Sequence, residues 1–121
     1  MGINVTAIQN QSKDISVKTS LGPIKIEYYP NRYTPDLFQT ASDKLDAGEL
    51  TALTQTPYIF QEIIKSWDLT EEIKGEDNEA KTVMYPIEVV AISKLPLHLI
   101  KEIDDAIGED VNPTVPSGRR R

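Results

Sequence analysis

Apolar and polar residues alternate in three short runs within the first third of the chain, at residues 3–7, 15–19 and 24–28. A period of two gives each run one apolar face, as in a β-strand. Ser20-Leu21-Gly22-Pro23 joins the last two runs; Gly22 can take the positive φ of a tight turn, and Pro23 has no N–H to give a ladder. Residues 1–30 are therefore predicted to be mainly strand, as an antiparallel β-hairpin or a three-stranded sheet.

The pattern changes to a helical period in residues 34–108. Thr34-Pro35 supplies an N-cap hydroxyl and a proline for the first turn, and Thr56-Pro57 repeats this start. The first predicted helix carries Leu37, Phe38, Ala41 and Leu45 and ends at Gly48. The second carries the densest apolar stripe of the sequence, Phe60, Ile63, Ile64 and Trp67. We predict that this stripe packs on the core as one helix over residues 57–67.

Residues 70–82 are polar and are predicted to form a solvated loop. Tyr85-Pro86 then starts a short helix, Leu95-Pro96 starts the last one, and Gly108 is expected to end it. The apolar side of the last helix consists of Leu99, Ile100, Ile103, Ala106 and Ile107. The sequence therefore predicts a single α+β domain over residues 1–112, with a small bundle of three to five helices after the strands, and a flexible Pro/Arg tail over residues 113–121.

Composition restricts the class of protein. Of the 121 residues, 39% are hydrophobic and 26% are charged, as in ordinary globular proteins. The absence of cysteine excludes a disulfide scaffold, a thiolate zinc site, an iron–sulfur cluster and a cysteine nucleophile. No apolar run approaches the roughly 20 residues that cross a bilayer, and Met1-Gly2-Ile3-Asn4 lacks the order of a secretory signal. We therefore expect folding in the cytoplasm, without a membrane partner.

The net charge of −6 is unevenly distributed along the chain. Residues 36–112 are strongly acidic, and an acidic surface repels phosphate, which argues against nucleic-acid binding. Arg119, Arg120 and Arg121 reverse the sign at the end. This triplet can pair with an acidic partner or with the acidic body of another copy in a homo-oligomer, or it can remain a solvated terminus.

Residues with catalytic or metal-binding chemistry are sparse. His98 is the single histidine, and its apolar neighbours suit a partly exposed helix residue better than a general base or ligand. Asp104 and Asp105 are adjacent, but neighbours on a helix point about 100° apart and do not make an acid–base pair. The acidic stretch at residues 75–79 could attract calcium but lacks the spacing of an EF-hand loop. We predict a protein that is not an enzyme and has no cofactor.

A longer pattern runs through the second half of the chain. It consists of Ser66-Trp67-Asp68-Leu69-Thr70, an acidic glycine-containing segment, Tyr85-Pro86-Ile87, Lys94-Leu95-Pro96-Leu97-His98-Leu99-Ile100 and Ile103-Asp104-Asp105-Ala106-Ile107-Gly108-Glu109-Asp110. In this order the motifs resemble those of the tail assembly chaperones of long-tailed bacteriophages. The resemblance extends over residues 58–116.

This resemblance implies a non-catalytic chaperone in the host cytoplasm that serves virion morphogenesis. Such a chaperone binds the tape measure protein, a long, largely helical and apolar chain that sets tail length, and keeps it soluble until tail tube subunits polymerise around it. A longer product made by ribosomal frameshifting commonly recruits the major tail tube protein. The alternative is a structural tail or connector subunit that stays in the virion and adds its hairpin, residues 15–28, to the sheet edge of a neighbour.

Transient binding of an apolar helix requires apolar grooves that the core does not cover. We expect these grooves on the predicted helices at residues 57–67 and 95–107. The candidate partner-binding residues are Phe60, Ile64, Trp67, Leu69, Tyr85, Leu95, Leu99 and Ile103, together with Arg119, Arg120 and Arg121.

Overall fold

Two antiparallel sheets and a set of helices make up the computed structural model, which describes residues 2–111. The three-stranded sheet has the order β1 (Lys13–Thr19), β2 (Gly22–Tyr28) and β3 (Ile64–Trp67), and the two-stranded sheet pairs β4 (Thr70–Lys74) with β5 (Ala80–Met84). The helices are α1 (Val5–Gln9), α2 (Pro35–Asp46), α3 (Gln55–Ile63), α4 (Val89–Ile92) and α5 (Leu97–Val111), with a short 3-10 turn at Pro30–Arg32. The predicted α+β class is confirmed.

The predicted hairpin between β1 and β2 is confirmed. Val17 lies opposite Ile24, and Thr19 lies opposite Gly22. Gly22 has a φ of 127°, in the region that favours glycine. The Thr19 hydroxyl donates a hydrogen bond of 2.5 Å to the Gly22 carbonyl and fixes the turn. The apolar side chains of both strands consequently face the same side of the sheet.

The strand predicted at residues 3–7 is wrong, because this segment leads into α1. The Asn4 side chain accepts a hydrogen bond of 3.0 Å from the Ala7 N–H, as an N-cap does. Arg32 then holds the end of the helix by donating to the Gln9 carbonyl at 2.7 Å and to Asn10 Oδ1 at 2.9 Å. A local cap and a tertiary contact therefore outweigh the alternating pattern. The third strand of the sheet comes from β3.

The helix predicted over residues 57–67 is wrong in its second half. It begins at Gln55 and ends at Ile63, and residues 64–67 form β3 along the free edge of β2. The Tyr29 N–H donates to the Ile63 carbonyl at 2.8 Å, and Ile26 lies opposite Trp67. Ile64 and Trp67 are still buried, so the change of backbone conformation keeps the apolar stripe on the core.

The solvated loop predicted at residues 70–82 is also wrong. This segment and the two residues after it form a β-ribbon, in which β4 and β5 pair from Thr70 opposite Met84 to Lys74 opposite Ala80. The turn is closed by the Gly75 N–H, which donates to the Glu79 carbonyl at 2.9 Å, and Asn78 takes a positive φ of 66°. Strand pairing rather than burial of side chains defines this segment.

The helix starts at Thr34 and at Pro96 agree with the sequence. Thr34 Oγ1 accepts a hydrogen bond of 3.2 Å from the Leu37 N–H, and Leu97 is the first residue of α5. Gly108 does not end α5, which continues to Val111. The last turn of α5 is tied to the sheet because Asp110 accepts hydrogen bonds from Lys13 Nζ at 2.9 Å and from the Tyr28 hydroxyl.

One cluster of buried side chains joins the three-stranded sheet to α2, α3, α4 and α5. Its members are Val17, Ile24, Ile26, Tyr28, Leu37, Ala41, Ile59, Phe60, Ile63, Ile64, Trp67, Ile92, Leu99, Ile100, Ile103 and Ile107. The described part of the chain contains no helix with the length and apolarity needed to cross a bilayer.

We expect Ile103→Ala to lower the free energy of unfolding by about 2–5 kcal/mol, because Ile103 is fully buried and its removal leaves a cavity. Leu97→Ala on the same helix is the matched control. Leu97 is 63% exposed, so its truncation should change stability by about 0.5 kcal/mol or less. Chemical denaturation of both variants measures the difference, and equal losses would contradict this packing of α5.

Candidate binding surfaces

Most of the residues expected to bind a partner belong to the core. Phe60, Ile64, Trp67, Leu99 and Ile103 are at most 6% exposed. Leu69, Tyr85 and Leu95 are half-buried and pack against the core cluster. Arg119, Arg120 and Arg121 lie outside the described residues. The apolar stripes of α3 and α5 are thus used inside the fold, and a partner surface has to be sought among other side chains.

Trp67 connects three elements. Its indole N–H donates to the Tyr85 carbonyl at 2.8 Å, which fixes the base of the β-ribbon to β3. The Tyr85 hydroxyl in turn donates to the Ala91 carbonyl in α4 at 2.5 Å. Burial, assisted by the nearby charge of Glu71, raises the pKa of Tyr85, so the phenol remains a donor at neutral pH. Trp67 and Tyr85 therefore act as structural connectors in this conformation.

A small cleft with apolar and polar lining residues lies between α5 and the link from α2 to α3. Its volume is about 200 Å³, and its lining residues are Ala52, Leu53, Thr56, Leu97, Ile100, Lys101 and Asp104. Leu53 is 70% exposed and Leu97 is 63% exposed, so both present most of their surface to solvent at this cleft. We call this feature the Leu53–Leu97 cleft.

Local structure determines why both leucines remain exposed. Leu97 is the first residue of α5, before the buried positions Leu99 and Ile100. Leu53 lies in the link to α3, where Thr54 Oγ1 accepts a hydrogen bond of 2.7 Å from the Thr51 N–H. The Thr54 N–H also donates to the Thr51 carbonyl at 3.0 Å. These bonds hold the link in a fixed turn with Leu53 on the outside.

The rim of the Leu53–Leu97 cleft is charged. Lys101 pairs with Asp105 at 3.3 Å on the exposed side of α5. Burial raises the pKa of Asp104, as does the neighbouring charge of Asp105, whereas Lys101 opposes both effects. The raised pKa of Asp104 indicates that its carboxylate is poorly solvated at the cleft wall. A cationic group brought into the cleft would lower this electrostatic cost.

The outer face of the three-stranded sheet is polar and forms a shallow concavity of about 540 Å³. Asp14, Glu27, Asp68 and Lys25 are among its lining residues. Two of the carboxylates are engaged within the chain: Glu27 accepts from Ser12 Oγ at 2.6 Å, and Asp68 accepts from the Lys25 N–H at 2.9 Å. The Ser12 hydrogen bond is the main reason why the pKa of Glu27 is lowered. This face is a hydrogen-bonded exterior of the sheet.

Ser20, His98 and Glu102 meet where the β1–β2 turn contacts α5. Ser20 Oγ lies 3.2 Å from His98 Nδ1, and the same nitrogen lies 3.3 Å from Glu102 Oε1. A nucleophile–base–carboxylate relay needs the two partners on different ring nitrogens. Here both share Nδ1, and Ser20 Oγ also donates directly to Glu102 Oε1 at 2.9 Å. The cluster fastens the turn to the helix and lacks the geometry for activating a serine.

The described residues give no metal centre: no group of three or more histidine, aspartate or glutamate side chains within residues 2–111 could hold a metal ion. The acidic segment at residues 75–79, whose oxygen ligands suggested calcium, is the turn of the β-ribbon. In this turn Asp77 Oδ1 accepts a hydrogen bond of 3.2 Å from the Glu79 N–H. His98 is mostly exposed on the first turns of α5, in agreement with its interpretation as a partly exposed helix residue.

Comparison of the chain with protein-family models, curated proteins and solved structures gives no match. The sequence pattern did not predict the Leu53–Leu97 cleft. Neither leucine belongs to an apolar stripe, and the two are brought together by packing between segments distant in the chain. A large apolar residue at the beginning of a helix, outside its stripe, was the available signal for Leu97.

The pH dependence of stability should show whether the contact between Ser20 and Glu102 stabilises the protein. Hydrogen bonds from Ser20, first from its backbone N–H, and the nearby His98 lower the pKa of Glu102 below its ordinary value of 4.5. A lowered folded-state pKa means that the contact stabilises the protein above pH 4.5, and that this stabilisation is lost as the pH falls through the folded-state value. We expect Glu102→Gln to remove this part of the acid dependence of unfolding.

Denaturation at a series of pH values measures this effect, with Glu72→Gln on the β-ribbon as the charge-matched control. Stability curves for the wild type and Glu102→Gln should separate above pH 4.5 and converge at lower pH. Parallel curves for these two proteins would contradict the role given to the Ser20–Glu102 contact.

Proposed function

We propose that this chain is a tail assembly chaperone of a long-tailed bacteriophage, a non-catalytic protein that binds an apolar helical segment of the tape measure protein. The single observation that carries the proposal is the Leu53–Leu97 cleft, in which two mostly exposed leucines lie in one opening with a charged rim. The ordered resemblance that begins at Ser66-Trp67-Asp68-Leu69-Thr70 supports the choice of client. The protein would act in the host cytoplasm, before the tail is complete.

The size of the cleft supports reversible binding. An opening of about 200 Å³ accommodates a few side chains rather than a whole helix. Residues three or four positions apart lie on one face of a helix, so a client helix can insert neighbouring apolar side chains between Leu53 and Leu97. A contact of this size gives modest affinity, as is required of a chaperone that must release its client to the tail tube.

Charge supports the solubilising part of the proposal. All 19 acidic residues precede residue 112, whereas Arg119, Arg120 and Arg121 are three of the 13 basic residues. An excess of one sign keeps a protein and its complexes from associating further. Asp104 at the cleft wall would favour a client helix that carries a lysine or arginine beside its apolar positions.

Recruitment of the major tail tube protein, through a longer frameshifted product, belongs to the same proposal. The alternative, a structural tail or connector subunit retained in the virion, is favoured by the open edges of the β-ribbon, since an exposed strand can extend the sheet of a neighbour. Mass spectrometry of purified particles separates the two functions. A chaperone should be absent from particles, and a subunit should be present in many copies.

Co-expression tests the chaperone function and the cleft together. We expect the wild type to raise the soluble fraction of a tape measure protein, and the double variant Leu53→Ser/Leu97→Ser to lose this effect. Removing two leucines from a contact weakens binding by about a hundredfold or more, since each buried leucine contributes about 1.5–3 kcal/mol. The soluble client is measured by quantitative gel analysis of the cleared lysate.

The matched control is Leu21→Ser/Val90→Ser, which removes two residues of similar exposure, 65% and 70%, that do not line the cleft. This control should solubilise the client as the wild type does. A wild type without effect on client solubility would refute the chaperone function. Equal activity of the two double variants would refute the assignment of the cleft.

A further inference from the structure

The β-ribbon formed by β4 and β5 extends from the body with little support. Residues 72–74 and 76–82 are all exposed, and the Trp67 contact with Tyr85 attaches the ribbon at its base. Ile73 on one face and Met84 on the other are 44% and 46% exposed. A two-stranded ribbon that packs on nothing is marginally stable in water, and additional strands stabilise it.

The register determines which backbone groups of the ribbon point outward. The hydrogen bonds from the Tyr85 N–H to the Leu69 carbonyl, 2.8 Å, and from the Gly75 N–H to the Glu79 carbonyl, 2.9 Å, mark the two ends of the ladder. Along an antiparallel ladder, hydrogen-bonded pairs alternate with pairs that are not hydrogen-bonded to each other. In the second kind of pair, the backbone N–H and C=O groups face away from the partner strand. These outward residues are Ala80, Thr82 and Met84 in β5 and Thr70, Glu72 and Lys74 in β4.

The two outer edges differ in charge. If two copies paired through β4 about its central outward residue, Glu72 would lie directly opposite the Glu72 of the other copy, which is unfavourable. The outward residues of β5 are all uncharged. Pairing about Thr82 would place threonine opposite threonine and Met84 opposite the small Ala80. The β5 edge is therefore self-complementary, whereas the β4 edge repels its own copy.

We propose that a second copy of this chain binds the β5 edge, so that two ribbons form a four-stranded antiparallel sheet with a two-fold axis at Thr82. In each pair of outward residues across the axis, the N–H of each residue then donates to the C=O of the other. Antiparallel pairing places the two bodies at opposite ends of the new sheet. This contact uses none of the residues that line the Leu53–Leu97 cleft, and it does not depend on the proposed chaperone function.

A residue on a two-fold axis lies opposite the same residue of the other copy, and this provides a specific test with the full chain. We expect sedimentation to show a dimer of the wild type as its concentration is raised to about 1 mM, which is high enough to detect millimolar association. Thr82→Glu should sediment as a monomer, because two carboxylates then lie opposite each other across the axis and Glu72, across the ribbon, adds to the repulsion. An equimolar mixture of Thr82→Glu with Thr82→Lys should form the dimer again, because opposite charges then face each other.

The matched control is Glu72→Lys, at the position directly across the ribbon from Thr82 but on the other edge. It should remain dimeric. A wild type that is monomeric throughout, a Thr82→Glu variant that remains dimeric, or a mixture that stays monomeric would each overturn the proposal.

Amide hydrogen exchange on the wild type gives a second test that requires no variant. Raising the chain concentration should protect the amides of Ala80, Thr82 and Met84, which point outward from β5. The outward amides of Thr70, Glu72 and Lys74 should exchange at the same rate at every concentration. Protection of the β4 amides, or no concentration dependence at β5, would overturn the proposal.

Discussion

The change from helix to strand between Ile63 and Ile64 determines most of the structure. These neighbours are 0% and 6% exposed, so both must face the core although the backbone conformation changes between them. The hydrogen bond from the Tyr29 N–H to the Ile63 carbonyl, 2.8 Å, aligns the new strand with β2. Trp67 then lies where its indole can reach Tyr85. The base of the β-ribbon and, through the Tyr85 hydroxyl, α4 take their places from this strand.

The sequence predicted the elements whose signals are local. The turn at Gly22 depends on its own φ, and the helix start at Thr34 depends on a cap three residues long. The stripe from Phe60 to Trp67 has helical spacing, but its last four residues also fit a strand with buried ends. The free edge of β2 decides between these conformations, and that edge is distant in the sequence. The β-ribbon gave no signal because both of its faces are exposed and no apolar alternation is needed.

The candidate binding residues also show that local sequence patterns do not reveal contacts between distant segments. An apolar stripe indicates which side of a helix is buried, and the core accounts for Phe60, Leu99 and Ile103 completely. Which apolar residues remain exposed depends instead on which side chains the neighbouring elements leave uncovered. Leu53 and Leu97 share a cleft because α5 lies beside the link between α2 and α3. Periodicity within one helix does not contain that information, since the two leucines belong to separate segments.

Several polar side chains of the described residues make contacts within the chain. Ser20, His98 and Glu102 are close together, yet they share one ring nitrogen and fasten a turn to α5. Glu27 and Asp68, on the outer face of the sheet, are hydrogen-bonded within the chain. The Leu53–Leu97 cleft and the β5 edge offer two separate contacts of different kinds. The first exposes apolar side chains, and the second exposes backbone hydrogen-bonding groups.

Hydrogen exchange of the chain, alone and mixed with a soluble tape measure fragment, is the most direct test of the proposed client binding at the Leu53–Leu97 cleft. We expect the fragment to slow exchange at residues 52–56 and 97–104, which surround the Leu53–Leu97 cleft, and to leave exchange in the β-ribbon unchanged. Unchanged exchange around the cleft, or protection confined to another surface, would contradict it.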